Sequence, residues 1–136
     1  MTYGLLVKPG VSFDLVAPAG FRILGALERT CRRLQFSLTI TCGCEAHPPT
    51  DPHTLGEAYD VRTRDFSLDD KRRILRELML DLVDDANPID VVLPVGNGLA
   101  TVQFYGQIED IGGPNEHLHV QRRRSTTYAI ADARTA

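Results

Sequence analysis

The chain has 136 residues, 43% of them apolar and 24% charged, a size and balance that allow one packed core without disulfides or an obligatory metal and exclude disordered, collagen-like and coiled-coil classes. Fifteen Lys and Arg against eighteen Asp and Glu leave a formal charge of −3, which offers no broad attraction for nucleic acid or anionic lipid. Three cysteines, with Cys42 and Cys44 separated by one residue, exclude a disulfide framework and suit buried reduced thiols better than a Cys42/Cys44 metal or redox site.

After an N-terminal segment carrying Pro9, Gly10, Pro18 and Gly20, residues 21–34 place Leu24, Leu27, Cys31 and Leu34 at helical spacing with arginines and Glu28 off that stripe, which predicts an amphipathic helix. Phe36 to Cys42 alternates and is rich in β-branched residues, so a strand is expected, closed by Gly43 and Pro48-Pro49. Ala58 to Thr63 reads as a second short strand. Ser67-Leu68-Asp69-Asp70 resembles a capping box, and Ile74, Leu75, Leu78, Met79, Leu82 and Val83 form one face of a second helix ending near Asp85. Asn87-Pro88 breaks the chain, Asp90 to Val95 reads as a buried strand, Asn97-Gly98 signals a hairpin into Leu99 to Gly106, and Gly112-Gly113-Pro114 turns into a last strand from Glu116 to Gln121. Arg122-Arg123-Arg124 is expected to be a solvated strand edge, and residues 125–136 a polar, alanine-rich tail. With no internal repeat and no linker, the expected organisation is one domain over residues 1–136 with its core at about 21–121: an α+β fold, a small antiparallel sheet flanked by two main helices.

Chemistry concentrates at a few positions. His53 follows a proline-rich loop, Gly56 comes three residues on, Asp60 lies seven residues after His53 in a new strand, and about sixty residues later Glu116 precedes His119 by three. Two imidazoles and one carboxylate with an open fourth position are the donor set of a catalytic zinc, whereas structural zinc is usually closed by four Cys or His. Bound zinc lowers the pKa of its water toward about 7, and a nearby carboxylate then shuttles the proton. Glu116 has the chemical identity for that acid/base task.

The stretch Asp51-Pro52-His53-Thr54-Leu55-Gly56-Glu57-Ala58-Tyr59-Asp60 resembles the Ser-x-His-x-x-Gly-x-Ala-x-Asp motif of the zinc D-Ala-D-Ala carboxypeptidases, the family of D,D-dipeptidases, phage L-alanyl-D-glutamate endolysin peptidases and the hedgehog-like fold. Only the leading Ser is replaced. The family's Glu-x-x-His matches Glu116-His117-Leu118-His119, and its Ile-Thr-Ser-Gly strand resembles Ile40-Thr41-Cys42-Gly43. The resemblance implies a hedgehog/D-Ala-D-Ala peptidase-like fold, Zn2+ held by His53, Asp60 and His119, Glu116 as general base, and hydrolysis of peptidoglycan peptides containing D-amino acids. Where family members often carry an arginine, Cys44-Glu45 stands here, so Arg62 or Arg64 takes over that electrostatic task, or zinc alone serves it, or catalysis is weakened or lost.

Other polar residues divide as follows. His47, beside two prolines, is expected to be exposed and to touch substrate, with Arg62 as a second substrate-binding candidate. His117 is set aside as lying on the opposite face of the strand from His119, a surface or supporting residue. Gly56 is expected to permit a positive φ or a close backbone approach, and Glu57 and Asp65 to be solvated charges. The N-terminus has no signal-peptide pattern and no window spans a bilayer, so synthesis in the cytosol is expected, with phage-type release to the cell wall as one route outward. The leading expectation is a zinc metallopeptidase, a hydrolase of the cell wall acting as carboxypeptidase, dipeptidase or endolysin. The rivals are a non-catalytic zinc-binding domain that binds a protein partner and a metal-free phage structural protein.

Overall fold

A computed structural model describes residues 3–45 and 47–123; the predicted tail at 125–136 and Arg124 lie outside them. Nine elements run in the order β1 (Leu5–Val7), α1 (Pro18–Leu34), β2 (Leu38–Cys42), β3 (Ala58–Arg62), α2 (Leu68–Asp81), β4 (Leu93–Val95), β5 (Gly98–Ala100), β6 (Phe104–Glu109) and β7 (His117–Arg122). The expected two helices and mixed α and β content are present, but the sheet is not small. It has seven strands in the order β1-β2-β3-β7-β6-β5-β4, and β1 pairs parallel to β2 while the other pairs are antiparallel. Among the described residues no helix is long and apolar enough to cross a membrane.

The helices form where the apolar spacing predicts them. α1 starts earlier than expected because Pro18 occupies the first turn, where its missing N–H costs nothing, and it ends on Gln35 in the left-handed region at φ 59°. Its buried stripe is Ile23, Ala26, Leu27, Thr30 and Cys31, turned slightly from the Leu24–Leu34 line. In α2 the Ser67 hydroxyl accepts the Asp70 N–H and Ile74, Leu75, Leu78 and Met79 are buried. Arg29 and Arg33 of α1 both grip Asp81 of α2 at 2.7 Å, pinning the helices side by side. Both lie on one face of the sheet, where Leu38, Ile40, Tyr59, Val61, Phe104, Ile108, Leu118 and Val120 complete a single core with them.

The strands diverge more from expectation. β1 carries no alternation to read: it is three residues long, with Leu6 58% and Val7 50% exposed. The stretch from Asp90 is not a buried strand. Only Leu93–Val95 pairs, at the sheet edge, with Val91 and Leu93 about half exposed, while Asp90 is buried as an acceptor for the N–H groups of Asp84 and Val102. The predicted Leu99–Gly106 strand is two strands, because Thr101 turns the chain and its hydroxyl accepts the Phe104 N–H.

Sheet order decides the site. The segment from α2 through β6 is an excursion, and β7 returns to lie directly against β3, so Asp60 stands opposite His119 and Arg62 opposite His117. β6 flanks β7 on the other side and sets Gln107 opposite His119 and Glu109 opposite His117. Side chains alternate along a strand. With Leu118 and Val120 turned to the helices, His117, His119 and Gln121 share the open face, which corrects the expectation that His117 and His119 diverge.

Candidate metal centre

The loop from Gly43 to Glu57 carries His53 and is held by its own backbone. Asp51 stands where the motif has Ser, and its Oδ1 accepts the His53 N–H at 2.8 Å, an Asx turn that fixes the histidine's backbone. Glu57 N–H donates to the Pro52 carbonyl and Gly56 N–H to that of His53. Gly56 has φ +71°, and a Cβ there would stand 2.4 Å from the Leu15 carbonyl oxygen, so both parts of the expectation for this glycine hold. Gly43 is equally confined, its would-be Cβ 2.3 Å from the Ser12 carbonyl oxygen. Glu45, where the family has its arginine nearby, is spent on this scaffold: its Oε1 accepts the N–H groups of Ser12 (2.8 Å) and Gly43 (2.9 Å).

His53, Asp60 and His119 converge. His53 Nε2 lies 3.2 Å and His119 Nδ1 2.8 Å from Asp60 Oδ1, and the three donor atoms all lie within 4.8 Å of one another. The other ring nitrogens are held as well. His53 Nδ1 is 3.2 Å from the Gly43 carbonyl oxygen and His119 Nε2 is 2.8 Å from Gln121 Oε1. These oxygens accept, so each ring carries a hydrogen on its far nitrogen, and the near nitrogen meets the Asp60 carboxylate either through a second proton or, with the ring neutral, through a cation between them. Such outer hydrogen bonds are the usual support of metal-ligating histidines, and zinc bonds of about 2.0–2.2 Å at tetrahedral angles would hold donors roughly 3.4 Å apart. The donor set and spacing are those of a candidate metal site. Burial opposes ionisation of Asp60, but with a proton on their near nitrogens His119 and His53 hydrogen-bond to the carboxylate, outweigh that penalty and hold it well below its usual range.

Glu116 is not brought to this cluster. Its buried carboxylate accepts from Lys71 Nζ at 2.6 Å, Thr63 Oγ1 at 2.8 Å and the Gly112 N–H at 3.0 Å, and among the described residues none of its hydrogen bonds runs to His53, Asp60 or His119. It precedes β7 and, although bonded to Lys71, also lines the cavity that holds Asp60, Arg62 and His117. Burial alone would raise its pKa, yet the Lys71 ammonium, the Gly112 N–H and the Thr63 hydroxyl lower it, the opposite of the upward tuning that suits a general base near neutral pH. The spacing Glu-x-x-His does not disclose Lys71, forty-five residues upstream.

The remaining candidates sit close by. His47 is half-buried, not exposed, and stacks on His53 with ring centroids 4.4 Å apart, its Nδ1 donating to the Glu45 carbonyl oxygen at 2.6 Å; it backs the ligand histidine. Cys42 Sγ lies 3.8 Å from both His47 ring nitrogens, and all three cysteines are free thiols, with only Cys31 fully buried. Arg62 lines a cavity of about 350 Å³ beside the cluster together with Lys8, Asp60, Arg64, Glu116 and His117. Among the described residues Lys8, Arg62 and Arg64 have no carboxylate partner, whereas Arg29, Arg32, Arg33 and Arg122 each have one. Lys8 escapes sequence reading because it precedes any motif; Gln121 was legible as the next residue of the His117/His119 alternation. Two smaller expectations change: Glu57 is not a solvated charge but bonds Arg122 at 2.7 Å, and Arg123 is buried at 6% exposure instead of lying on a solvated edge.

Compared with known protein families, with characterised proteins and with solved structures, the chain matches none.

Proposed function

We propose that this chain is a zinc-dependent hydrolase of peptide bonds in bacterial cell-wall peptides containing D-amino acids. The observation that carries the reading is the convergence of His53, Asp60 and His119, with each ring's far nitrogen held by a hydrogen-bond acceptor, beside a cavity lined by cations without carboxylate partners. The substrate class comes from the motif resemblance. His53 and His119 would hold Zn2+ with Asp60. Zinc in that position supplies a Lewis acid for the scissile carbonyl and an ionised water at neutral pH. Lys8, Arg62 and Arg64 supply positive charge where a peptide carboxylate would dock, and Arg62 takes the electrostatic place of the family's upstream arginine. Gly43 and Gln121 hold the two rings in the tautomers that binding requires.

Glu116 is the acid/base that the motif supplies by resemblance. Its carboxylate lines the cavity beside Asp60 but is bonded to Lys71, Thr63 and Gly112, and those bonds favour a second reading, a zinc-binding domain of the same fold that acts by binding a protein. Zinc stoichiometry by elemental mass spectrometry comes first. One or more zinc ions per chain, with His119→Ala losing the tightest, support the cradle; a wild type that takes up no zinc refutes it. Cleavage of muropeptides by the zinc-loaded chain then separates hydrolase from binding domain. Loss of cleavage in Glu116→Gln with zinc and stability retained would return Glu116 to the proton-transfer role.

A further inference from the structure

The Asp60 carboxylate has two oxygens, and they face different histidines. Oδ1 serves His53 and His119, while Oδ2 lies 3.8 Å from His117 Nε2. That same nitrogen is 2.8 Å from Glu109 Oε1, and Asp60, Glu109 and His117 each offer a donor atom within 4.8 Å of the others. His117 Nδ1 is 2.7 Å from the Asn115 carbonyl oxygen, which only accepts, so a hydrogen is on Nδ1 and Nε2 faces two carboxylates, where either a second proton or a cation can sit. This repeats the logic of the first cluster. Glu109 is oriented for it: its Oε2 accepts from Gln107 Nε2 at 2.7 Å, and Gln107 Oε1 in turn accepts the Tyr105 hydroxyl at 2.9 Å, leaving Oε1 for the histidine. Arg62, opposite His117 in the sheet, forms no ion pair with Asp60 or Glu109 among the described residues.

We infer that Asp60 bridges two divalent cations, one between His53, Asp60 Oδ1 and His119 and a second between His117, Asp60 Oδ2 and Glu109. The inference rests on the metal-cradle reading and adds a second ion to it. One imidazole with two carboxylates is a harder donor set than the first and accepts Zn2+, Co2+ or Mn2+. Paired sites of this kind typically hold their ions about 3.5–4 Å apart and clamp the attacking and leaving atoms of a displacement together, so a single carboxylate with each oxygen committed to a different triad is the geometry such a pair needs. A proton on His117 Nε2, making an imidazolium paired with Glu109, is the competing occupant.

The test is metal titration of the chelator-stripped, full-length protein with Zn2+ and, separately, Co2+, followed by elemental analysis. Wild type is expected to bind two ions per chain with Co2+ spectra showing exchange coupling. Glu109→Gln, at a side chain 39% exposed and so tolerant of substitution, should bind one ion uncoupled, the second weakened at least tenfold; Cys42→Ser should still bind two. One ion in both wild type and Glu109→Gln overturns the second site while leaving the cradle intact. A second ion lost in Cys42→Ser but kept in Glu109→Gln overturns it in favour of the Cys42/His47 side. No ion in wild type removes both the cradle and this inference.

Discussion

The two faces of the sheet share the same strands and have opposite characters. Toward the helices β7 presents Leu118 and Val120, both fully buried, and toward the open side His117, His119 and Gln121. The helix face is an apolar core, and the buried Lys71–Glu116 pair stands at its margin, with Glu116 also lining the cavity beside Asp60. The open face is a continuous polar surface running from Tyr105 through Gln107, Glu109, His117 and Asp60 to His119 and Gln121. The contrast teaches that parity separates partners even for sequence neighbours: Glu116 bonds Lys71 and Thr63, whereas His117 bonds Glu109.

That division can be broken most forcefully at Glu116. Glu116→Ala leaves the Lys71 ammonium buried without its partner, and the expected loss is about 3–5 kcal/mol of unfolding free energy, read by urea denaturation, with zinc content per folded chain unchanged. Unchanged stability would move Glu116 to the open face. The same residue sets an acid limb. Its folded pKa lies below the ordinary 4.5, so its contribution is fully present above that value and is lost as pH falls through the lowered folded value; Glu116→Gln should show a shallower acid limb than wild type.

Next in size, Leu118→Ala should cost about 2–5 kcal/mol through the cavity it leaves with zinc binding intact, whereas its neighbour substitution His119→Ala should abolish tight zinc binding with the metal-free stability little changed. Measuring both by denaturation and elemental analysis sharpens the comparison between adjacent positions. Gln121→Ala, which frees the His119 ring, should weaken zinc by roughly 10- to 100-fold; an unaltered affinity would remove Gln121 from the site. Smallest is Ser67→Ala at the α2 N-cap, expected to cost ~1 kcal/mol with no effect on metal.

Much of this was legible in residue order. The apolar spacing of α2 and the Ser67 cap marked that helix, and the period-two pattern after Pro114 marked β7. His53, Asp60 and His119 were found as a set, and the structure brings them together. Less legible were β1, too short to show alternation, and β4, whose apolar residues lie on an exposed edge. The partners of Glu116 were not legible for a definite reason: motif spacing names the residue but not the lysine, forty-five residues upstream, that bonds it. The face of His117 was misjudged although the period of two already decided it.

By itself, then, the sequence determined the local elements and the chemical identities of the cradle, because helix and strand periodicity and donor type are properties of nearby residues. Tertiary structure alone decided that β7 returns beside β3, that Lys8, Arg62 and Arg64 meet around one cavity, and that Lys71 claims Glu116. Those contacts join residues tens of positions apart, and what selects them is the burial of one apolar face across the whole sheet, an energy that no local window contains.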